Sequence, residues 1–474
     1  MGFSSDTRDS ESRLAAYVEV LTSVLGHADR AAPFRSYCVG LLLPGTRKSV
    51  EPMAARVAPS RVRAMHQSLH HLVAKADWSD DTVLGAVRTH VLPLIERRGA
   101  IRGWMIDDTG IPKKGTHSVG VARQYCGQLG KQDNCQVAVT LSVTNDHASL
   151  PVAHRLYLPQ VWCDDHTRRA GAGVPKEIAF QTKPQIALAQ IRAALEAGVS
   201  PAPVLADAGY GTDTDFRDGV TALGLYYIVG IQSSTSLWPP GCEPLPPKPW
   251  SGRGRRTSLI RRDSEHKPIS ARQLAIGLPK NAFRRVIWRE GSNSSLASRF
   301  AAVRVRPSHR DYWRPTPRPA EWLLIEWPAG EPEPTKYWLA TLPETTTRRA
   351  LVNLAKLRWR IERDYQDLKQ ELGLGHYEGR GWRGFHHHAT LCIAAYGFLI
   401  AERATIPPSK GSRPPFIKAP GLPKTFRPPR RSRSGLNGTF PHQRLHCAPS
   451  LLVHSHEPCH DVPAANNFRR IVNL

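Results

Sequence analysis

Apolar residues recur three and four apart in RLAAYVEVLTSVL and again in RVRAMHQSLHHLVAKA, the spacing of one buried helix face. Asp80-Asp81-Thr82 ahead of VLGAVRTHVLPLIERR reads as a capped helix start. Residues 1–100 are therefore expected to be helical. From 101 the period shortens. GWMIDD is a strand, CQVAVTLSVTND is rich in β-branched residues, and SLPVAHRLYLP follows it across a short turn, so the last two make a hairpin. QTKPQIALAQIRAALEAG returns to helical spacing. PVLADAGYG is a short apolar strand ending at Asp207, TDFRDGVTALG a helix, and LYYIVGI the next strand. The order β-β-β-α-β-α-β predicts an α/β domain with mixed strand directions over 101–234.

Between 235 and 344 the chain becomes first Pro-rich and basic, then strand-like in FRRVIWREG, SRFAAVRVRP, EWLLIEWP and KYWLATLP. This β-rich block is read as an insertion that interrupts the α/β domain. One long helix is expected next, capped by Thr345 or Thr346 and stopped at Gly373, followed by a second, FHHHATLCIAAYGFLIAERA, which closes the globular part at 406. Residues 407–474 hold 12 Pro, 11 Lys or Arg and only two acids; such a segment buries little and is expected to be disordered.

Charge narrows the partners. Lys and Arg outnumber Asp and Glu 65 to 40, for a net charge of +25, the footprint of a protein that meets nucleic acid. A ribosomal or membrane-surface protein is the alternative on charge alone. The eight cysteines contain no C-x-x-C pair, which points away from a zinc ribbon or disulfide framework and toward a reducing compartment. The start is polar, and LCIAAYGFLI is far short of a membrane span. The expectation is a cytoplasmic, nucleoid-associated protein with no membrane partner.

Two carboxylates, Asp107 and Asp108, close the first strand of the α/β domain, and Asp207 closes the fourth. If those strands are parallel neighbours, Asp107 and Asp207 project from one edge. Like charges so placed are tolerated when a divalent cation neutralises them, and hard oxygen ligands suit Mg²⁺ or Mn²⁺. Two ions about 4 Å apart can hold the attacking and leaving oxygens of a phosphodiester, which calls for a third acid. In the long helix Arg358, Glu362 and Lys369 lie at offsets of four and seven and share a face distinct from the apolar stripe. The ordinary reading of that face is a solvated ion pair.

The segment RWRIERDYQDLKQELGLGHYEGRGW resembles the third-acid block of bacterial insertion-sequence transposases, with its Y-x2-R-x3-E-x6-K signature. The signature falls on Ala355, Arg358, Glu362 and Lys369. Ala stands where the family has Tyr, which bears on that residue's phosphate contact and not on the metal site. DDTGIPKKGTHSVGVARQYCGQLGKQDNCQ resembles the first-acid region of one subgroup of these DDE enzymes, and VLADAGYG the second-acid strand. The match spans roughly 30–405. It implies an RNase H-like catalytic core with a β-rich insertion. The helical N-terminal domain before it, punctuated by basic residues, reads either as a DNA-binding domain or as a helical scaffold with solvated Lys and Arg. The resemblance also implies Asp107, Asp207 and Glu362 as catalytic metal ligands, with Asp108 as the alternative to Asp107. Arg358, Lys369, Lys113 and Lys114 are the expected DNA contacts. The function implied is cleavage of an element's terminal inverted repeats and transfer of the 3′-OH strands to target DNA by a synaptic homodimer. A structure-specific nuclease without strand transfer and a non-catalytic DNA-binding derivative are the rival readings.

Other features weigh less. His442, His446, Cys447, His454, His456, Cys459 and His460 match no standard zinc spacing. His386 to His388 are expected to line the DNA face or cap a helix. The lone G-x-G of GRGRR is a weak phosphate cradle but a plausible basic loop for DNA. Trp288, Trp322, Trp327 and Trp338 are expected mostly in the core, with one available to stack on an extruded base.

Overall fold

The computed structural model describes residues 4–290 and 295–405; the Pro/Arg-rich tail and its Cys/His cluster lie outside them. Five helices come first: α1 (Ser4–Thr22), α2 (Ala31–Leu42), α3 (Val50–Val57), α4 (Val62–Ala74) and α5 (Asp80–Glu96). Ser79 caps α5 by accepting from the Thr82 amide. Strands β1 (Gly103–Pro112), β2 (Ala122–Cys126), β3 (Lys131–Thr144) and β4 (Ser149–Leu156) follow, with β1, β2 and β4 each antiparallel to β3. The short α6 (Gln160–Cys163) and α7 (His166–Gly171) lead to α8 (Lys183–Glu196), which opens with a capping box between Thr182 and Gln185. Then come β5 (Val204–Ala206), α9 (Ala208–Gly211), α10 (Thr214–Ala222) and β6 (Tyr227–Ile231), with β5 parallel to both β1 and β6.

The block after 234 contains β7 (Ser236–Trp238), β8 (Ile269–Ser270), α11 (Ala271–Gly277), β9 (Arg284–Glu290), β10 (Ser295–Pro307), β11 (Glu321–Trp327) and β12 (Lys336–Ala340). Its strands do not build a separate sheet. β12 pairs antiparallel with β6, from Tyr337 opposite Ile231 to Ala340 opposite Ile228. One largely open sheet therefore runs β2-β3-β1-β5-β6-β12-β11-β10-β7-β8, with β4 added on β3 and β9 on β10. This is a mixed α/β fold consistent with an RNase H-like domain. β6 is buried along its whole length, and a buried strand edge needs a partner for its backbone groups.

Three expectations change. The long helix is two, α12 (Arg348–Leu357) and α13 (Trp359–Gln370), broken at Arg358 and capped by Thr347 rather than Thr345 or Thr346. The break falls where packing passes from β9 and β10 under α12 to β1 and β4 under α13. The second change concerns β1, which does not stop at the two acids but continues to Pro112. β3 pairs with it throughout, whereas β5 meets only Trp104 and Met105. Beyond Met105 one edge of β1 is therefore open, and the acids sit mid-strand at that notch.

The third change concerns the last helix, α14 (Trp382–Thr405). It is central, packing on α1, α2, α4, α5 and β4. Its three histidines neither line a DNA face nor cap a helix. The His388 ring bonds Tyr37 Oη (2.9 Å) and Gly373 O (3.0 Å), and His387 bonds Trp78 O (3.0 Å) and stacks on that indole at 3.7 Å. His386 reaches Trp382 O and accepts from the Leu156 amide. They were misread because a run of three imidazoles is polar in isolation, while here each ring finds a backbone or hydroxyl partner inside the protein. Among the described residues no helix is long and apolar enough to cross a membrane.

Candidate active site

Side-chain alternation along the sheet decides which acid faces which layer. Met105 and Leu205 belong to the core beneath α12 and α13, with Leu351, Val352, Ile361 and Tyr365. Trp104, Ile106, Val204 and Ala206 belong to the opposite core. Asp107 lies two residues beyond Met105 and Asp207 two beyond Leu205, so both share the α12–α13 face. β1 and β5 pair Met105 with Leu205, and continuing that register sets Asp107 level with Asp207. Asp108 falls on the other face, where its carboxylate meets Lys183 Nζ at 2.6 Å at the start of α8.

Asp207 caps α9, its Oδ1 accepting from the Gly209 amide at 2.9 Å. The turn after it is pressed against β6. A Cβ on Gly211 would lie 2.0 Å from Gly230 O, and one on Gly230 would lie 2.9 Å from the Ala208 nitrogen. Two glycines thus let the second-acid turn seat on its neighbouring strand. Tyr365 of α13 donates to the Asp107 carbonyl at 3.1 Å and ties that helix to β1.

Arg358, at the helix break, joins the acids. Its guanidinium lies 2.8 Å from Asp107 and 3.6 Å from Glu362. Burial pushes the Asp107 carboxyl up to about 6, against the pull of Arg358 and helped by repulsion from Asp207 and Asp108. Arg358 is itself raised, by Asp107 first, then Asp207 and Glu362, which outweigh its burial. The Glu362 side chain is 65% exposed and opens onto a cleft of about 430 Å³ lined also by Asp207, Lys336, Trp338, Lys356 and Trp359.

The structure thus brings Asp107, Asp207, Arg358 and Glu362 together. Among the described residues no three acid, His or Cys side chains are drawn tightly enough to form an ion-holding group; the positive charge among these carboxylates is Arg358. The donor chemistry still fits a hard divalent cation. The donors are all carboxylates, two are set side by side by strand register, and one has a raised pKa from burial and like charge.

Lys369 bonds Gly110 O at 2.8 Å and Gln128 Oε1 at 3.3 Å, further along β1. Lys113 is turned inward to Tyr377 O (2.7 Å), while Lys114 faces solvent. Of Trp288, Trp322, Trp327 and Trp338, expected mostly in the core, only Trp338 is buried.

Sequence reasoning missed several residues around the site. Lys183 fixes Asp108, and no motif marks it. Tyr365, which ties α13 to β1, lies on the apolar stripe of the helix, and nothing in its position marked it. Lys356 pairs with Glu326 at 2.6 Å, and its ammonium lies 4.5 Å from the Trp288 ring and 5.4 Å from that of Trp338, an arrangement that fastens α12 to the inserted strands. An aromatic-rich block followed by a helical lysine was the only signal for it.

Residues 20–295 match the family model described as DDE superfamily endonuclease. That span contains Asp107 and Asp207 but stops before Glu362. The chain is also 31% identical over 202 residues to a protein of Microchaete diplosiphon named "Probable transposase for insertion sequence element IS701", covering 42% of this chain and 49% of that one. The chain thus spans about half the length of the curated relative it matches. With more than half of its own length matched by the family model, the chain belongs to the DDE superfamily of endonucleases.

Proposed function

We propose that the chain is an insertion-sequence transposase that binds its element's terminal inverted repeats, cuts DNA at the ends and joins the 3′-OH strands to target DNA. The observation that carries this reading is that Asp107 and Asp207 each lie two residues beyond the paired Met105 and Leu205 and repel one another, with Arg358 linking Asp107 to Glu362 across the helix break. Asp107, Asp207 and Glu362 would hold Mg²⁺ or Mn²⁺. Bound there, divalent ions supply charge stabilisation for both the attacking and the leaving oxygen of a phosphodiester.

The chain's own groups have distinct tasks. Asp207, fixed by its α9 cap, and Asp107, fixed through Tyr365 and β3, present preset oxygens at the notch in the sheet. Arg358 neutralises the carboxylates and has further donors for a backbone phosphate. Lys336 adds positive charge to the cleft wall, and Lys369 and Lys114 extend it along β1. In cleavage a water oxygen bonds to phosphorus as the 3′ oxygen leaves and takes a proton. In joining, that 3′-OH attacks a target phosphodiester and a target 3′ oxygen leaves. The N-terminal helices are assigned to binding the element ends, and two copies to the synaptic complex, in the cytoplasm on nucleoid DNA.

The test supplies pre-cut element ends, target plasmid and Mg²⁺ and looks for joined products. The unmodified protein should join them, and Arg358→Ala or Lys369→Ala should lose joining together with retention of the cut end. Cutting without joining under any metal condition would replace this reading with that of a simple nuclease.

A further inference from the structure

The flank of the sheet farthest from the acids carries a second feature. A chain excursion from Leu245 to Arg262 returns against the turn Asp311–Trp313, through an Ile260 amide to Arg314 O bond and an Arg262 bond to Ser308 O. Asp311 is buried and holds that turn by accepting from Trp238 Nε1 (2.6 Å) and from Arg262. Arg310, just before it, is the one non-glycine residue at positive φ among the described residues (58°), a conformation kept only where surroundings enforce it.

The turn so fixed displays Tyr312 and Trp313 outward, edge to face at 5.3 Å and 46% and 62% exposed. The excursion adds Trp250, 55% exposed, beside the exposed Arg253, Arg255 and Arg256. Trp250 and Trp313 are the large exposed tryptophans among the described residues, one on the excursion and the other on the turn against which the base of that excursion returns. The exposure of Tyr312 and Trp313 is not a by-product of a loose loop, because their turn is anchored by the buried Asp311 carboxylate.

We infer that this aromatic and arginine surface is a stacking platform for unpaired bases of DNA lying outside the active site. Aromatic faces gain by stacking on bases whose own faces are exposed, while arginines track the backbone. A paired duplex hides those base faces and would use the arginines alone. The platform does not hold a base at the scissile phosphate. β10, whose end leads into the turn, is four strands from β5, which at strand spacing is about 20 Å. The inference rests on the reading that the chain works on DNA.

The experiment measures binding of the full chain to a fluorescent 20-nucleotide oligo-dT and to a 20-base-pair duplex. Trp313→Ala with Tyr312→Ala should weaken oligo-dT binding about tenfold or more and duplex binding less than about twofold. Trp313→Phe with Tyr312→Phe should restore most of the loss. Trp313 is mostly exposed, so its removal hollows no core, and an unchanged melting temperature verifies this. Unchanged oligo-dT binding in the double alanine variant overturns the inference. So does an equal loss on duplex, or sedimentation showing that the substitutions instead dissolve a self-associated form. If oligo-dT binding behaves as stated while Asp107→Asn protein and unmodified protein cut element ends equally, the platform stands and the proposed chemistry falls.

Discussion

Two polar clusters lie in the interior of this protein, and they are finished to different degrees. Around α14, His386, His387 and His388 each find a backbone or hydroxyl partner, and each is kept neutral, pushed down to about 4 by burial. At the open notch of β1, Asp107, Asp207, Arg358 and Glu362 face one another with a single cation among three acids, and one acid is left largely in solvent. The contrast separates a cluster that ties elements together from one proposed to hold a ligand. A polar cluster that satisfies itself ties elements together, whereas one with surplus like charge is waiting for a ligand.

Breaking the two clusters should therefore give opposite phenotypes. The largest effect belongs to the acids. Asp207→Asn or Glu362→Gln should lower end cleavage by roughly a thousandfold or more, with chelator doing the same to the unmodified protein. Unfolding by denaturant should be unchanged. Loss of stability in step with activity would make these acids structural.

At the α14 cluster the expected loss is in stability. His388→Ala strands Tyr37 and leaves a cavity among helices, and should lower unfolding free energy by about 2–4 kcal/mol. The fraction still folded should cut DNA at a normal rate.

The pH dependence follows from the same imidazoles. An unfolded His takes up its proton near pH 6.5, whereas the folded protein keeps these neutral down to about 4, and His154 down to about 3, because they are buried. The stability they contribute is present above about pH 6.5 and is lost as pH falls through that window. Asp107 and Asp364, both raised to about 6 chiefly by burial, act in the opposite direction, so the test is a difference. His154 has neither ring nitrogen hydrogen-bonded. His154→Phe should be neutral or stabilising at pH 7 and should flatten the fall in melting temperature between pH 6.5 and 4. A variant with an unchanged acid profile would show that His154 is not kept neutral.

The smallest effect concerns the other face of β1. Lys183 pairs with Asp108, and Lys183→Gln should reduce cleavage only a few-fold, by loosening β1 rather than removing a ligand. A loss as deep as that of Asp207→Asn would move Asp108 into the chemistry.

Much of this was legible in the sequence, and the gaps have physical causes. The strands carrying Asp107 and Asp207 showed themselves as short apolar runs broken by acids. That they are parallel neighbours was the condition of the reading, and the pairing of Met105 with Leu205 meets it. The helix break at Arg358 was not legible, since WRIERDYQ has neither Gly nor Pro and the break comes from a change of packing partner. β2, in ARQYC, was too short and polar to read as a strand; it is held by β3 alone. The joining of β12 to β6 is a long-range pairing that no local pattern encodes. The choice of Asp107 over Asp108 came from the resemblance alone, because alternation assigns them to opposite faces without saying which face the third acid occupies.

That choice is the most direct test of the whole account. Asp107→Asn and Asp108→Asn are compared in one assay, cleavage of a plasmid carrying the element ends, in Mg²⁺. Asp107→Asn should abolish cutting while end binding persists, and Asp108→Asn should retain cutting to within about tenfold, the difference between losing a metal ligand and losing a supporting ion pair. Normal cutting by Asp107→Asn, with loss in Asp108→Asn, would contradict the face assignment on which the site is built.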